Sequence, residues 1–204
     1  MAELVLIQIF QVQQLDMAAV EQVEILVVDD CDQALPPGEI GEICVKPAVT
    51  GPYANMYTTM LGYWNRSEAT AAALRSGMYH TGDLGYLDDS GQLFIRGRQN
   101  DLIIRGGANV YPAEVEKLLS VHPAIAMVAV VGVPDERFGQ AITALVEPLP
   151  GQTIVEADLI AFIKQHHAAY KAPKRVISIA TVGRAGNGKL DYKALTEIAL
   201  KSLG

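Results

Sequence analysis

The alternation of apolar and polar residues predicts short strands in the first half of the chain. The predicted strands cover residues 23–28, 39–45, 84–87 and 93–96. Asp88-Asp89-Ser90-Gly91 joins the last two and is typical of a hairpin connection. A short helix is predicted around residues 69–74, with Ser67 as its N-cap. Residues 1–20 carry competing strand and amphipathic-helix patterns and receive no assignment.

The second half contains longer periodic segments of both kinds. Its predicted strands cover residues 102–104, 125–133, 141–146 and 175–179. One helix begins at Pro112. A second runs to about His167 behind a Thr153–Glu156 capping box, and a third is capped by Asp191. The predicted buried face of the third helix consists of Leu195, Ile198 and Leu203. The pattern predicts an α+β domain of several strands covered by three helices.

The net charge of the chain changes sign at Gly97-Arg98. Residues 1–97 carry 4 Lys and Arg against 13 Asp and Glu, whereas residues 98–204 carry 12 against 10. Beyond residue 163 the cations are Lys164, Lys171, Lys174, Arg175, Arg184, Lys189, Lys193 and Lys201, against only two acids. A local cationic surface on an acidic protein favours a small polyphosphate ligand over DNA. For any single lysine, a solvated helix end is an equal alternative.

The remaining composition indicates a cytoplasmic protein without a metal centre. Cys31 and Cys44 lie in unrelated contexts and are predicted to be free thiols in a reducing compartment. The histidines show no ligand spacing, and His166-His167 is predicted to be a helix-end pair. No apolar stretch reaches the roughly 18 residues of a transmembrane helix, and the start lacks the basic region of a signal peptide.

The stretch from Gly77 to Lys117 carries the candidate chemistry. Thr81-Gly82-Asp83 would present a fixed carboxylate, which can accept both hydroxyls of a ribose. Arg98 offers a planar donor pair for phosphate or carboxylate oxygens. Gly106-Gly107 lacks side chains, so it forms a positive-φ turn or lets a thin substrate pass the backbone. Each element alone has a simpler interpretation as a turn, a surface arginine or a hairpin.

Their order and spacing resemble the hinge region of the adenylate-forming family, which includes acyl- and aryl-CoA synthetases, peptide-synthetase adenylation domains and luciferases. The resemblance extends from about Val23 to Ala194, and its pattern is closest to the fatty-acid-CoA ligases. The residues that carry it are Tyr79-His80-Thr81-Gly82-Asp83-Leu84-Gly85, Gly91-Gln92-Leu93, Gly97-Arg98-Gln99-Asn100-Asp101 and Gly106-Gly107-Ala108-Asn109-Val110-Tyr111-Pro112-Ala113-Glu114-Val115-Glu116.

The resemblance implies a domain organisation. Residues 23–97 would be the last, barrel-like part of a large N-terminal AMP-binding domain, and residues 98–204 a small mobile C-terminal domain. The hinge would lie at residues 98–101, with Asn100 and Asp101 at its centre. Residues 1–22 resemble no part of the family. Family members usually have Asp or Lys where this chain has Asn100.

The resemblance also implies roles for individual residues. Tyr79, Thr81, Asp83 and Arg98 would bind AMP or ATP, with Asp83 on the ribose and Arg98 on the ribose or phosphate. Gly106 and Gly107 would line the pantetheine tunnel, and Lys171 and Lys174 would contact CoA phosphates. Lys189, in a glycine-rich loop, would stabilise charge during adenylation. That loop lacks the proline that often precedes it in the family.

The implied activity is ATP-dependent acyl-CoA synthesis, in which a carboxylic acid is adenylated and then transferred to CoA. The cofactors would be ATP and CoA, with Mg²⁺ held by residues of the preceding domain. Residues 1–22 contain no phosphate loop, so this chain alone is expected not to adenylate. Its partners would be a separately encoded N-terminal domain or a second copy. Alternatives are an adenylation-domain or acyl-AMP ligase fragment, and a non-catalytic nucleotide- or CoA-binding or docking module.

Overall fold

The computed structural model describes residues 14–15, 23–56, 60–183 and 190–203. The chain divides into two compact units, Met1–Asn100 and Asp101–Gly204. Within the described residues the strands pair mainly in antiparallel fashion and the chain contains both sheets and helices, so the predicted α+β class is confirmed. No described helix has the length and apolarity needed to cross a bilayer.

The first unit is an antiparallel sheet with one short helix. Its elements are β1 (Gln14–Leu15), β2 (Val23–Val28), β3 (Gly41–Pro47), α1 (Ser67–Ala73), β4 (Tyr79–Leu87) and β5 (Leu93–Arg98). The strand order is β1-β5-β4-β3-β2, and among the described residues the sheet is open rather than a closed barrel. Val27, Ile43 and Leu93 form the apolar core on one side of the sheet. Strand β4 therefore lies between β3 and β5, so residues of β3 contact the β4 side of the β4–β5 hairpin.

The start of α1 differs from the prediction. Ser67 is the first helical residue rather than the N-cap, and Arg66 occupies the cap position without a side-chain hydrogen bond. The hydroxyl of Thr70 instead accepts the backbone N–H of Tyr63 at 2.9 Å. Thr70 thereby ties the preceding loop to the helix, whose first N–H groups receive no side-chain cap.

The second unit has a five-stranded sheet and three α-helices among its described residues. Its elements are β6 (Ile103–Arg105), β7 (Ala108–Val110), α2 (Pro112–Leu119), β8 (Ile125–Asp135), β9 (Gly139–Pro148), α3 (Glu156–His166), β10 (Arg175–Ser178) and α4 (Tyr192–Leu203). Strand β9 is central, because it pairs with β8 and β6 in antiparallel fashion and with β10 in parallel. A 3₁₀ turn, Gln99–Asp101, precedes β6, and a second, Ala169–Lys171, precedes β10.

Two helix details of the second unit differ from the prediction. Val155 is the N-cap residue of α3 and makes no side-chain cap hydrogen bond, so the capping box with Thr153 is wrong. Glu156 instead accepts the backbone N–H of Val176 at 2.8 Å, which ties the start of α3 to β10. In α4 the buried residues are Leu195 and Ala199, while Ile198 is 39% exposed and Leu203 37%. The predicted Asp191 cap is confirmed, since its Oδ1 accepts the N–H of Ala194 at 3.0 Å.

Candidate functional site

Asp83 and Arg98 face each other across the β4–β5 hairpin. They are register partners at the open end of the two strands, and Arg98 Nε lies 3.0 Å from Asp83 Oδ1. Asp83 is 32% exposed and Arg98 57%. An exposed ion pair contributes at most about 1 kcal/mol to stability. Breaking the Asp83–Arg98 pair so that each side chain can bind a ligand therefore costs little free energy.

Strand β4 is irregular before Asp83, because between the pairs Glu42–Leu84 and Cys44–His80 two more residues lie on β4 than on β3. This irregular stretch, Thr81–Asp83, is called the Gly82 turn, and side-chain hydrogen bonds hold it. The hydroxyl of Thr81 donates to the carbonyl of Ile43 at 2.7 Å and accepts the backbone N–H of Asp83 at 3.0 Å. Gly82 has φ +73°, a conformation that glycine adopts without steric cost. The turn therefore fixes the direction in which the Asp83 carboxylate leaves the sheet.

Tyr79 stands at the beginning of β4 and shares the surroundings of Asp83 and Arg98. Burial raises the pKa of Tyr79, and a hydrogen bond with Tyr63 raises it further. The positive charge of Arg98 acts in the opposite direction, and the carboxylate of Asp83 adds to the rise. The phenol thus stays protonated and can donate a hydrogen bond.

Sequence reasoning missed a buried polar network beneath this turn. Glu42 is buried, and its Oε1 accepts the backbone N–H of Gly82 at 3.0 Å. Its Oε2 lies 2.8 Å from His80 Nδ1 and 3.1 Å from Arg75 Nη2. Glu42 stands near the start of β3, directly before the apolar run Ile43-Cys44-Val45, where it resembles an ordinary solvent-facing position. Only its place opposite the Gly82 turn distinguishes it.

The predicted hinge residues lie in the Gln99–Asp101 3₁₀ turn, directly after Arg98. Gln99 and Asn100 are exposed, and Asp101 is half-buried. The boundary between the two compact units falls between Asn100 and Asp101. Short 3₁₀ segments are common as connectors between elements.

Gly106 and Gly107 form the two-residue connection between β6 and β7. Arg105 pairs with Ala108 across it, and φ is +58° at Gly106 and +82° at Gly107. Positive φ at both central residues is the requirement of a type I′ hairpin turn. The backbone N–H of Gly106 also donates to the carbonyl of Phe138 at 2.8 Å. A hairpin explains both glycines structurally and leaves their exposed backbone open to a ligand.

An aromatic ring with two guanidinium groups lies beside this hairpin turn. The Cζ atoms of Arg105 and Arg137 are 4.8 Å and 4.9 Å from the centroid of the Phe138 ring. A Cβ on Gly106 would lie 3.1 Å from Cδ1 of the same ring. Arg105 Nη1 also donates to the carbonyl of Tyr170 at 2.7 Å. Arg105 thereby joins the glycine turn to the segment that carries Lys171 and Lys174.

Lys171 and Lys174 each contact a carboxylate from a distant part of the chain. Lys171 Nζ lies 2.8 Å from both oxygens of Glu114, and its side chain is only 17% exposed. Lys174 Nζ lies 2.7 Å from Asp135 Oδ2 but is 59% exposed. The cationic surface expected from the local sequence is therefore partly neutralised. Lys174 is the more accessible of the two amines.

The structure brings the candidate residues into two groups, one in each unit. Thr81, Asp83, Arg98 and Tyr79 gather at the end of the first sheet. Gly106, Gly107, Lys171 and Lys174 gather at one end of the second, together with Arg105, Arg137 and Phe138. The sequence offered one signal for the missed arginines, since Arg105 precedes the glycine pair. Lys189 lies outside the described residues.

Comparison with known proteins identifies relatives for most of the chain. Residues 114–189 match the AMP-binding enzyme C-terminal domain. The fatty acid–[acyl-carrier-protein] ligase ScoC of Streptomyces coeruleorubidus is 41% identical over 84% of this chain and 31% of its own length. The indoleacetate–CoA ligase of Aromatoleum aromaticum is 41% identical over 80% of this chain and 30% of its own. The chain thus spans about a third of these relatives.

Solved structures match as well. ATP-bound MatB from Rhodopseudomonas palustris superimposes with a TM-score of 0.75 at 37% identity, covering 87% of this chain and 34% of that one. The o-succinylbenzoate CoA synthetase of Bacillus subtilis, bound to its acyl-adenylate, gives 0.74 at 36% identity, covering 85% and 34%. Both similarities extend beyond the region of the family match.

Proposed function

We infer that this chain, which belongs to the adenylate-forming enzymes and carries their AMP-binding C-terminal domain, takes part in ATP-dependent acyl-CoA synthesis. The reaction would proceed in two steps. A carboxylate attacks the α-phosphate of ATP, giving acyl-AMP and pyrophosphate, and the CoA thiol then attacks the acyl carbonyl, releasing AMP. The observation that carries this proposal is the exposed Asp83–Arg98 pair, held on a rigid turn.

The first-unit group would hold the nucleotide. The Asp83 carboxylate would accept the two ribose hydroxyls, and Arg98 would turn from it towards the ribose or the α-phosphate. Thr81 would act by fixing the Asp83 backbone, and the Tyr79 phenol by donating a hydrogen bond at the same edge. We assign Asn100 and Asp101 as the pivot that lets the C-terminal domain present different faces in the two steps.

The second-unit group would meet CoA. The Gly106–Gly107 turn offers backbone without side chains to the pantetheine arm, and Phe138 offers an apolar wall. Arg105 and Arg137 would take the CoA phosphates, because neither guanidinium contacts a carboxylate of the described residues. Lys174 would add a third cation by leaving Asp135, whereas Lys171 is held by both oxygens of Glu114 and would serve mainly to fix the loop.

Lys189 would contribute to the first step only. An ammonium group on a flexible stem can reach the oxygen that becomes more negative as acyl-AMP forms. The other roles proposed above are compatible with this one, since ribose binding serves both steps and the glycine turn serves the second. Two free cysteines fit a reducing cytoplasm, where ATP and CoA are available.

Nucleotide discrimination tests the Asp83 assignment on the 204-residue chain itself. AMP and 2′-deoxy-AMP are titrated against the protein by NMR. We expect AMP to bind about tenfold more tightly, because the deoxy analogue loses a hydrogen bond to a charged acceptor. Asp83→Asn should remove most of this preference, while Asp89→Asn, in the hairpin connection at the other end of the strands, should keep it. Equal binding of both nucleotides to the wild type contradicts the assignment.

Complementation tests the activity. The chain is mixed with the N-terminal part of a related ligase, such as the indoleacetate–CoA ligase, and pyrophosphate exchange is measured with the cognate acid. Lys189→Ala should lower exchange by about 10²-fold or more while sparing thioester formation from preformed acyl-AMP. Lys193→Ala, an exposed lysine nearby, serves as the control. Exchange that is absent with the wild type, or equal with Lys189→Ala, contradicts the proposed activity.

A carrier protein is the second candidate acceptor, because one relative is a fatty acid–[acyl-carrier-protein] ligase. Both acceptors present a phosphopantetheine arm, but only CoA adds an adenosine 3′,5′-diphosphate. If CoA is the acceptor, replacing both Arg105 and Arg137 with Gln should weaken CoA binding and leave pantetheine binding unchanged. No loss of CoA affinity in the double variant favours the carrier protein.

A further inference from the structure

The polar network beneath the Gly82 turn centres on Glu42, whose carboxylate contacts His80, Arg75 and the backbone of Gly82. Its side chain is 9% exposed, and its position on β3 places it opposite Leu84 of β4. The β3–β4 register shifts directly after it, opposite the Gly82 turn of β4. One carboxylate oxygen accepts the Gly82 N–H and the other meets His80 and Arg75. The Glu42 carboxylate thus links the backbone of the Gly82 turn to the side chains of His80 and Arg75.

Arg75 anchors this carboxylate from the far side. Its Nη2 lies 3.1 Å from Glu42 Oε2, and its guanidinium also reaches Asp32 at 3.2 Å. Asp32 in turn accepts the hydroxyl of Ser76 at 2.6 Å, and that hydrogen bond is the main cause that lowers the pKa of Asp32. A chain of charge-assisted hydrogen bonds therefore runs from the β2–β3 loop to the Gly82 turn.

A metal ion is a possible interpretation of part of the network, since ligand atoms of Glu42, Cys44 and His80 lie within 4.8 Å of one another. The distances are those of hydrogen bonds, with His80 Nδ1 at 2.8 Å from Glu42 and 3.2 Å from Cys44 Sγ. Burial raises the pKa of the Cys44 thiol to about 12, so it keeps its proton. Arg75 already contributes a positive charge at the carboxylate. The cluster is explained without a cation.

We propose that Glu42 is a positioning residue for Asp83, acting through the backbone of the Gly82 turn. The inference rests on the proposed nucleotide-binding role of Asp83. Asp83 is one residue from the amide that Glu42 holds, and Thr81 fixes the other side of the same turn. Without the Glu42 carboxylate, the partly buried amide of Gly82 loses its acceptor, and the turn no longer directs Asp83 towards the ribose.

The test uses the 204-residue chain and two readouts. The first is amide hydrogen exchange at Gly82 by NMR, and the second is the preference for AMP over 2′-deoxy-AMP. Glu42→Ala should speed Gly82 exchange by about tenfold or more relative to the rest of the sheet and abolish the nucleotide preference. Glu42→Gln keeps an oxygen acceptor and should fall between wild type and Ala in both readouts. If the Glu42→Ala variant does not fold, the Glu42→Gln variant alone provides both readouts.

Val27→Ala is the matched control, because it destabilises the same sheet from its apolar core without touching the turn. It should raise exchange across the sheet and leave the nucleotide preference intact. Unchanged Gly82 exchange in the Glu42 variants overturns the inference, as does faster exchange with an unaltered preference. If Asp83→Asn itself leaves the preference unaltered, the nucleotide assignment fails, and positioning of a ribose ligand by Glu42 fails with it.

Discussion

Asp135 holds together the end of β8 and the turn that carries Phe138. Its Oδ2 accepts Lys174 Nζ at 2.7 Å, and its Oδ1 accepts the backbone N–H groups of Arg137 and Phe138. The hydrogen bond from Lys174 is the main cause that lowers the pKa of Asp135 below its ordinary value of 3.8. The folded state therefore binds the proton less readily than the unfolded chain. The stabilisation is present above that ordinary value and is lost as pH falls through the folded pKa.

Lys174→Gln should consequently flatten the acid dependence of stability. The variant removes the largest cause of the lowered pKa, so less stabilisation remains to be lost in acid. The measurement is the melting temperature between about pH 5 and pH 2, compared with wild type and with Lys193→Gln as a surface control. An unchanged slope for Lys174→Gln contradicts the prediction.

Gly106 and Gly107 should respond differently to alanine. Both have positive φ, so each substitution costs about 1–2 kcal/mol of backbone strain. Only at Gly106 does the new Cβ also meet Phe138, at 3.1 Å, while nothing lies within 4 Å at Gly107. Urea unfolding should therefore show a larger loss for Gly106→Ala than for Gly107→Ala. Gly151→Ala, with φ +76° and open space, is the control and should match Gly107→Ala.

A second measurement separates strain from function in these variants. If the hairpin turn contacts the pantetheine arm, CoA binding should weaken in both hairpin variants and not in Gly151→Ala. Equal stability losses at Gly106 and Gly151 would contradict the steric argument. Equal CoA affinity in all three variants would contradict the role of the turn.

Single residues were predictable where a short local motif determines their surroundings. Asp83 and Arg98 flank the hairpin that alternation and turn residues predicted over residues 84–96, and they pair across it. Arg137 and Phe138 approach Gly106 only through the pairing of β6 with β9, which sequence spacing does not reveal. Glu42 was missed for the same reason, because its partner Gly82 is 40 residues away.

Helix α4 shows what periodicity predicts and what it does not. Its existence and its Asp191 cap followed from the sequence, but two of the three residues assigned to its buried face are partly exposed. Leu195 and Ala199 are four positions apart and share the face that packs on β8 and β9. Because alanine contributes little to an apolar pattern, the prediction chose Ile198 for the buried face of α4 instead of the adjacent Ala199.

Leu195→Ala should cost about 2–5 kcal/mol of unfolding free energy, since it leaves a cavity between α4 and the sheet. Leu195 is 3% exposed and contacts a cluster that includes Val131 and Leu145. Leu200→Ala, on the same helix at 44% exposure, should change stability by no more than about 0.5 kcal/mol. Chemical denaturation of both variants provides the comparison. Similar losses for the two would show that α4 does not pack through this face.

The cationic C-terminal region shows that the charges of neighbouring residues in the sequence do not predict which cations are free to bind a ligand. Lys171, Lys174 and Arg175 appear unopposed in the local sequence, yet each contacts a carboxylate from another element. Those carboxylates are Glu114, Asp135 and Glu156. Tertiary pairing therefore decides which cations remain for a ligand, and Arg105 and Arg137 become stronger candidates than the lysines proposed from the sequence.

The second unit should fold without the first. Residues 101–204 contain their own sheet and an apolar cluster formed by β8, β9 and α4. A domain of about 100 residues with a buried core of this kind is within the size range that folds alone. The expected result is a cooperative thermal transition for the isolated 101–204 polypeptide.

Leu195→Ala should lower the unfolding free energy of this polypeptide by the same amount as in the full chain, because the affected cluster lies within the unit. A non-cooperative transition, or a Leu195→Ala effect seen only in the full chain, would mean that the C-terminal unit depends on residues before 101 for its core.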